Sequence, residues 1–183
     1  MTTHLYLDID GVLNAWLRGP KSPSLWDGGY EFHQCWYGEY VAPAMISRLN
    51  TLIAEHGITG HWLTTWMEAA PMFGSLIGLE GSESWPVLEA VKGTGRHWSK
   101  WSTIRRHFNT TQPDAALWID DDLALNRRAL RWAKTAGVLA WAPNGFHGIT
   151  PAMLEDIEQA LDTAAREPSH QGDVPPAGNR AGT

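Results

Sequence analysis

The chain has 183 residues, a net charge of −6 and 43% hydrophobic residues. That length supports one domain with room for a small insertion, and it buries enough surface to fold without disulfides or a structural metal. The acidic balance excludes a strongly basic protein that coats nucleic acid, and 11 Trp against 4 Phe and 4 Tyr argue against a mostly unfolded chain.

The single Cys35 excludes an internal disulfide and suggests a reducing compartment. No basic leader precedes an apolar run, and no stretch approaches the ~18 apolar residues of a membrane span. The expectation is a cytoplasmic protein.

In chain order, HLYLDI (4–9) reads as a buried strand ending in acid. Residues 15–42, rich in Gly, Pro, Trp and Tyr, read as a long loop or small insertion that Trp16, Trp26 and Trp36 keep packed. Pro43 opens a helix with Ile46, Leu49 and Ile53 on one face, and Gly57 stops it. ITGHWLT (58–64) is a second strand, whereas Gly and Pro break any period over 67–92. Ser99 is expected to cap a helix with Trp101, Ile104 and Phe108 on one face. AALWID (115–120) is a third strand, 123–136 a helix closed by Gly137, and VLAWA (138–142) a fourth strand. Thr150-Pro151 opens a last helix with Leu154, Ile157 and Leu161 on one stripe. Residues 167–183, with three Pro, three Gly and no aromatic residue, read as a disordered tail after a domain over 1–166.

Strands alternating with helices predict an α/β fold, a mostly parallel sheet with helices on both faces. Ligands of such sheets bind outside the carboxyl ends of the strands. Three strands there end in polar residues: Asp8 and Asp10, Thr64 and Thr65, Asp120 and Asp121. Asp8 and Asp10 are expected to converge only if the chain leaves strand geometry, a turn that Gly11 eases. Close carboxylates repel unless a cation intervenes, and oxygen ligands of this kind suit Mg²⁺ with substrate phosphate. Asp120-Asp121-Asp122 poses the same problem. Lys100 supplies a point charge suited to phosphate.

The motifs LYLDIDGVLN (5–14), WLTTW (62–66), SKW (99–101) and WIDDD (118–122) stand in the order of the haloacid dehalogenase-like hydrolase superfamily, which this chain resembles over residues 4–165. Within it the motifs look like small bacterial and phage-type members, including those fused to RNA-repair proteins. The resemblance implies a Rossmann-like three-layer sandwich with a minimal cap. It implies Asp8 as nucleophile and Asp10 as the acid that protonates the leaving oxygen and then activates water. It also implies Thr64 as donor to the phosphoryl oxygen and Lys100 as the charge that steadies Asp8. Mg²⁺ would be held by the set Asp8, Asp10, Asp120 and Asp121. Thr65 could exchange roles with Thr64, and Lys92 is an alternative to Lys100. The function implied is a Mg²⁺-dependent phosphatase with an aspartyl-phosphate intermediate, open enough for a nucleotide or a nucleic-acid end. Its rival is an inactive module of the same fold that binds phosphate or a nucleic-acid end.

Other readings fare worse. An EF-hand starting at Asp8 would need Gly at Leu13 and Glu at Gly19. In a receiver domain the acidic pair comes first and the Lys last, whereas here a second acidic cluster follows Lys100. The eight His show no metal spacing and read as surface or satisfied core, with His97 and His147 the two of most interest. Trp62, Trp118, Trp132 and Trp141 read as core. Trp16, Trp26, Trp36, Trp66 and Trp98 lie near the motifs, where one or two could stack on a base. Residues 90–113 hold Lys92, Arg96, Lys100, Arg105 and Arg106 and no acid, so this segment reads as a solvated helix face or an anion-attracting rim.

Overall fold

The computed structural model describes residues 2–16, 23–89 and 98–166. Its centre is a four-stranded parallel sheet of β1 (Thr3–Leu7), β4 (Ile58–Trp62), β5 (Ala115–Ile119) and β6 (Val138–Trp141), in the order β4-β1-β5-β6. Side chains alternate across this sheet, and both faces are apolar. Leu5, Leu7, Trp62, Leu117 and Ile119 face one layer, formed by α1 (Pro43–Glu55) and α5 (Pro151–Arg166). Tyr6 and Trp118 face the other, formed by α3 (Ser99–Thr111) and α4 (Arg127–Ala136). The result is the three-layer α/β sandwich that the alternation of elements predicts.

The chain runs from β1 outward to the edge strand β4 and then returns past β1 to β5. The order of the strands therefore reverses at β1 and β5, and a crevice opens beyond their carboxyl ends. β1 stops at Leu7, two residues earlier than the apolar run suggests, because the chain turns at Ile9. The N–H groups of Val12, Leu13 and Asn14 all point to the Ile9 carbonyl, at 3.2, 2.9 and 2.9 Å. Gly11 takes φ +69°, and a Cβ there would lie 2.4 Å from the Asp121 carboxylate.

Several local expectations need correction. Ser99 is the first helical residue of α3 rather than its cap, a position held by Trp98 with no side-chain hydrogen bond. The expected helix over 123–136 is a 3-10 turn, Asp121–Leu125, followed by α4, because the Asn126 side chain accepts from Ala129 N–H and restarts the helix. The ambiguous stretch after Trp66 folds as a 3-10 turn (Met67–Ala69), α2 (Ala70–Leu76) and a second 3-10 turn (Ser82–Ser84). Trp62 and Trp118 are wholly buried, whereas Trp132 and Trp141 pack against the core at its margin.

Of the loop or insertion over 15–42, residues 15–16 and 23–42 are described, and they include an antiparallel hairpin of β2 (Glu31–His33) and β3 (Glu39–Val41). Trp26 is buried and donates its indole N–H to the Ile149 carbonyl at 2.9 Å. Tyr30 donates to the His147 carbonyl at 2.9 Å. These two bonds fasten the segment to the loop before α5. Lys92, Arg96, His97 and the expected tail over 167–183 lie outside the described residues.

Candidate active site

The crevice beyond β1 and β5 collects the polar strand ends. Asp8 follows β1 directly and is 4% exposed; Asp120 follows β5 and is wholly buried. Lys100, in the first turn of α3, is 3% exposed and reaches between them. Its ammonium bonds the Asp8 carboxylate and lies 3.1 Å from Asp120 Oδ2. Burial works against the charge on Lys100, but Asp8 and then Asp120 outweigh it and hold the ammonium protonated. Burial pushes Asp8 up, against the pull of Lys100 and of hydrogen bonds that include one from Thr64.

Thr64 is completely buried, and its hydroxyl also accepts from the Trp66 N–H at 3.3 Å. Thr65 is exposed. Of the two, only Thr64 meets Asp8.

Asp8, Asp120 and Asp121 each present a carboxylate oxygen, all within 4.8 Å of one another. Asp120 is pushed up to about 8 by burial and then by the charge of Asp8. Asp121 is pushed up to about 6 by burial, then by Asp122 and Asp8. One ammonium does not balance three such groups. The donor set is all oxygen, so it fits a hard divalent cation, and Asp8, Asp120 and Asp121 could hold a metal ion.

Asp10, expected as a fourth metal ligand, is not part of this group of carboxylate oxygens. The turn at Gly11 carries it off the strand, and each of its oxygens has its own donor. Asn14 Nδ2 lies 2.9 Å from Oδ1, and the Trp66 indole N–H lies 2.8 Å from Oδ2. Asn14 is held in turn by the Tyr40 N–H at 3.0 Å. Trp66 stacks on Trp36, with ring centroids 5.1 Å apart and planes 16° apart. Sequence reasoning missed Asn14 as a partner of Asp10. It lies four residues away, but no pattern links the two.

The hairpin that carries Trp36 is shaped by a buried acid. Glu39 is wholly buried, and its carboxylate accepts from the N–H groups of Cys35, Trp36 and Tyr37 at 3.0, 3.2 and 2.9 Å. This clamp leaves Trp36 54% and Tyr37 93% exposed at the mouth of the site. A cleft beside Asp10 is lined by Asn14, Ala15, Trp16, Tyr37 and Tyr40. Arg105 and Arg106 are exposed further along α3, with Arg105 over the Trp101 ring at 5.3 Å. Lys100 is not part of that surface, being enclosed in the site.

The raised carboxyls set a pH dependence. In the folded metal-free protein Asp121 and Asp120 retain protons that the unfolded chain gives up near pH 3.8. The contribution of these two groups to stability is therefore lost as pH rises, through about 6 for Asp121 and about 8 for Asp120. Below about 6.5 the buried His61, pushed down to about 4, acts in the opposite direction, so the acids show alone only above that value. Melting temperature measured in chelator should drop as pH rises from about 6.5 through about 8, and Asp120→Asn should flatten that fall. A wild-type profile that is level over that range would show that burying Asp120 costs nothing.

No curated protein matches the chain. The model of a family described as the HAD domain in Swiss Army Knife RNA repair proteins matches residues 4–141. That match takes in all but the first residue of the parallel sheet and every residue of the carboxylate group, and the chain belongs to this family of HAD domains.

Proposed function

We propose that the protein is a Mg²⁺-dependent phosphatase that hydrolyses a phosphomonoester through an aspartyl phosphate on Asp8. The observation that carries this reading is the division of labour between two acids. Asp8 is buried against an ammonium, and Asp10 is held separately by two neutral N–H donors. A module that only binds phosphate has no need of a buried carboxylate facing its anionic ligand.

In this reading an Asp8 oxygen attacks phosphorus while the bond from phosphorus to the ester oxygen breaks. Asp10 gives its proton to the departing oxygen. Asp10 then takes a proton from a water, whose oxygen attacks the same phosphorus, and the bond to Asp8 breaks to release inorganic phosphate. Lys100 keeps the Asp8 carboxylate oriented and offsets its charge, and the Thr64 hydroxyl donates to a phosphoryl oxygen. Asp8, Asp120 and Asp121 would hold Mg²⁺, which when bound neutralises charge so that carboxylate and phosphate can approach. Asn14 and Trp66 each take one lone pair of an Asp10 oxygen and leave the other open for proton transfer.

The substrate we infer is a phosphorylated nucleotide or nucleic-acid end. The family's name ties its members to RNA repair. The exposed faces of Trp36 and Tyr37 beside the Asp10 cleft suit base stacking, worth ~1–3 kcal/mol per base. A short hairpin over the site leaves it open to a polymer end. No described helix is long and apolar enough to cross a membrane, and a cytoplasmic location remains part of the proposal.

Asp8→Asn should abolish Mg²⁺-dependent release of phosphate from p-nitrophenyl phosphate and from phosphorylated oligonucleotides. Binding without turnover by the wild-type chain on both substrates would instead identify an inactive module. Trp66→Phe keeps the stacking ring but removes the N–H, so kcat should fall roughly ten- to hundredfold with little change in KM. Replacing both Trp36 and Tyr37 by Ala should raise KM for an oligonucleotide about tenfold or more and leave p-nitrophenyl phosphate unaffected. Equal effects on the two substrates would argue against base stacking.

A further inference from the structure

At the far end of β1 from Asp8, three histidines meet. His4 lies on β1, His61 on β4 and His107 on α3, and one ring nitrogen from each lies within 4.8 Å of the others. Ring centroids are 4.6 Å apart for His4 and His61, 4.6 Å for His61 and His107, and 5.7 Å for His4 and His107. The three come from separate elements, so no local spacing announces them. Parallel register sets His61 beside Tyr6, and α3 brings His107 over the same face two turns along from Lys100.

Two features are unusual for packed core histidines. The Nδ1 atoms of His4 and His61 are buried without a hydrogen-bond partner. An unsatisfied buried polar atom of this kind opposes folding unless a ligand takes it up. The rings also hold no carboxylate partner among the described residues that would favour an imidazolium. Burial and then the adjacent His107 and His4 rings push His61 down to about 4, and burial lowers His4 and His107. All three are therefore neutral imidazoles near pH 7, the form whose lone pair binds a metal.

We propose that His4, His61 and His107 form a second metal site, separate from the carboxylate group, which takes a borderline transition-metal cation of the Zn²⁺ type. Three imidazole nitrogens suit Zn²⁺ and its neighbours, whereas the all-oxygen group beyond β1 and β5 suits Mg²⁺. The chain thus offers two donor sets that sort cations by softness. Ligation at about 2.0–2.1 Å draws the three rings together by rotation of their side chains. Tyr6 Oη lies 3.0 Å from His107 Nδ1. With Nδ1–H donating to that oxygen, the other ring nitrogen of His107 is left free to ligate, an outer contact that orients the ligand. His4 and His107 are only partly buried, which provides an entry path. A bound ion would tie the edge strand β4 to β1 and α3.

The test uses the untagged full chain, stripped by chelator and titrated with Zn²⁺ against a chromogenic competitor, with Co²⁺ as a spectroscopic probe. We expect one Zn²⁺ per chain in the presence of millimolar Mg²⁺, and visible Co²⁺ bands of a nitrogen-ligated site. His107→Gln and His61→Gln should each weaken binding at least about tenfold, and Tyr6→Phe by about 10–100-fold. Asp120→Asn should leave it unchanged. Because His61→Gln could fail to fold, ring ¹⁵N shifts are also followed in the wild-type chain, where Zn²⁺ should move those of all three histidines. Absence of a bound equivalent, loss of binding in Asp120→Asn with retention in His107→Gln, or unmoved ring shifts would each overturn the proposal.

Discussion

The site depends on one buried ammonium. Lys100 enters between Asp8 and Asp120 at 3% exposure, where an unpaired charge would cost several kcal/mol. Removing one partner of such a group is expensive, about 3–5 kcal/mol, because the others are left buried and uncompensated. The fold is arranged to supply all the partners at once. β1 and β5 are adjacent and parallel, so their carboxyl ends emerge side by side, and the first turn of α3 lies over them. One positive charge against Asp8, Asp120 and Asp121 still leaves an excess of negative charge. Burial and then that excess raise Asp120 and Asp121, and the excess gives the site its appetite for a divalent cation.

A second set of contacts separates Asp10 from that cluster. The turn at Gly11 takes it elsewhere, and Asn14 and Trp66 hold it with neutral donors. Trp66 in turn rests on Trp36, whose loop is clamped by the buried Glu39 carboxylate. A surface hairpin thus shapes both the mouth of the crevice and the setting of the acid within it. The hairpin is fastened to the loop before α5 by Trp26 and Tyr30, so part of the tryptophan excess serves to anchor a short segment that has no core of its own.

Much of this was legible in the chain. Four apolar runs, three of them running into acid or threonine, with helical periods between them, are enough to predict a parallel α/β sheet with polar groups at one edge. The order of Asp8-Ile9-Asp10-Gly11, Thr64, Lys100 and Asp120-Asp121 then points to phosphate chemistry there. Boundaries were less secure. β1 ends before the apolar run does, and α4 begins after a 3-10 turn, because hydrogen bonds to the Ile9 carbonyl and to the Asn126 side chain decide those ends rather than hydrophobicity.

The sequence by itself determined which residues face inward and which polar groups gather beyond the strands, since a period of 2 or 3.6 encodes faces. Only the tertiary structure decided which distant side chains touch. It buried Thr64 and exposed Thr65, a choice that neighbouring hydroxyls cannot reveal in one dimension. It paired Trp66 with Asp10 across 56 positions. It brought His4, His61 and His107 together from two strands and a helix. Such meetings depend on strand order, register and the angle at which a helix crosses the sheet, and none of these is written in the spacing of residues along the chain.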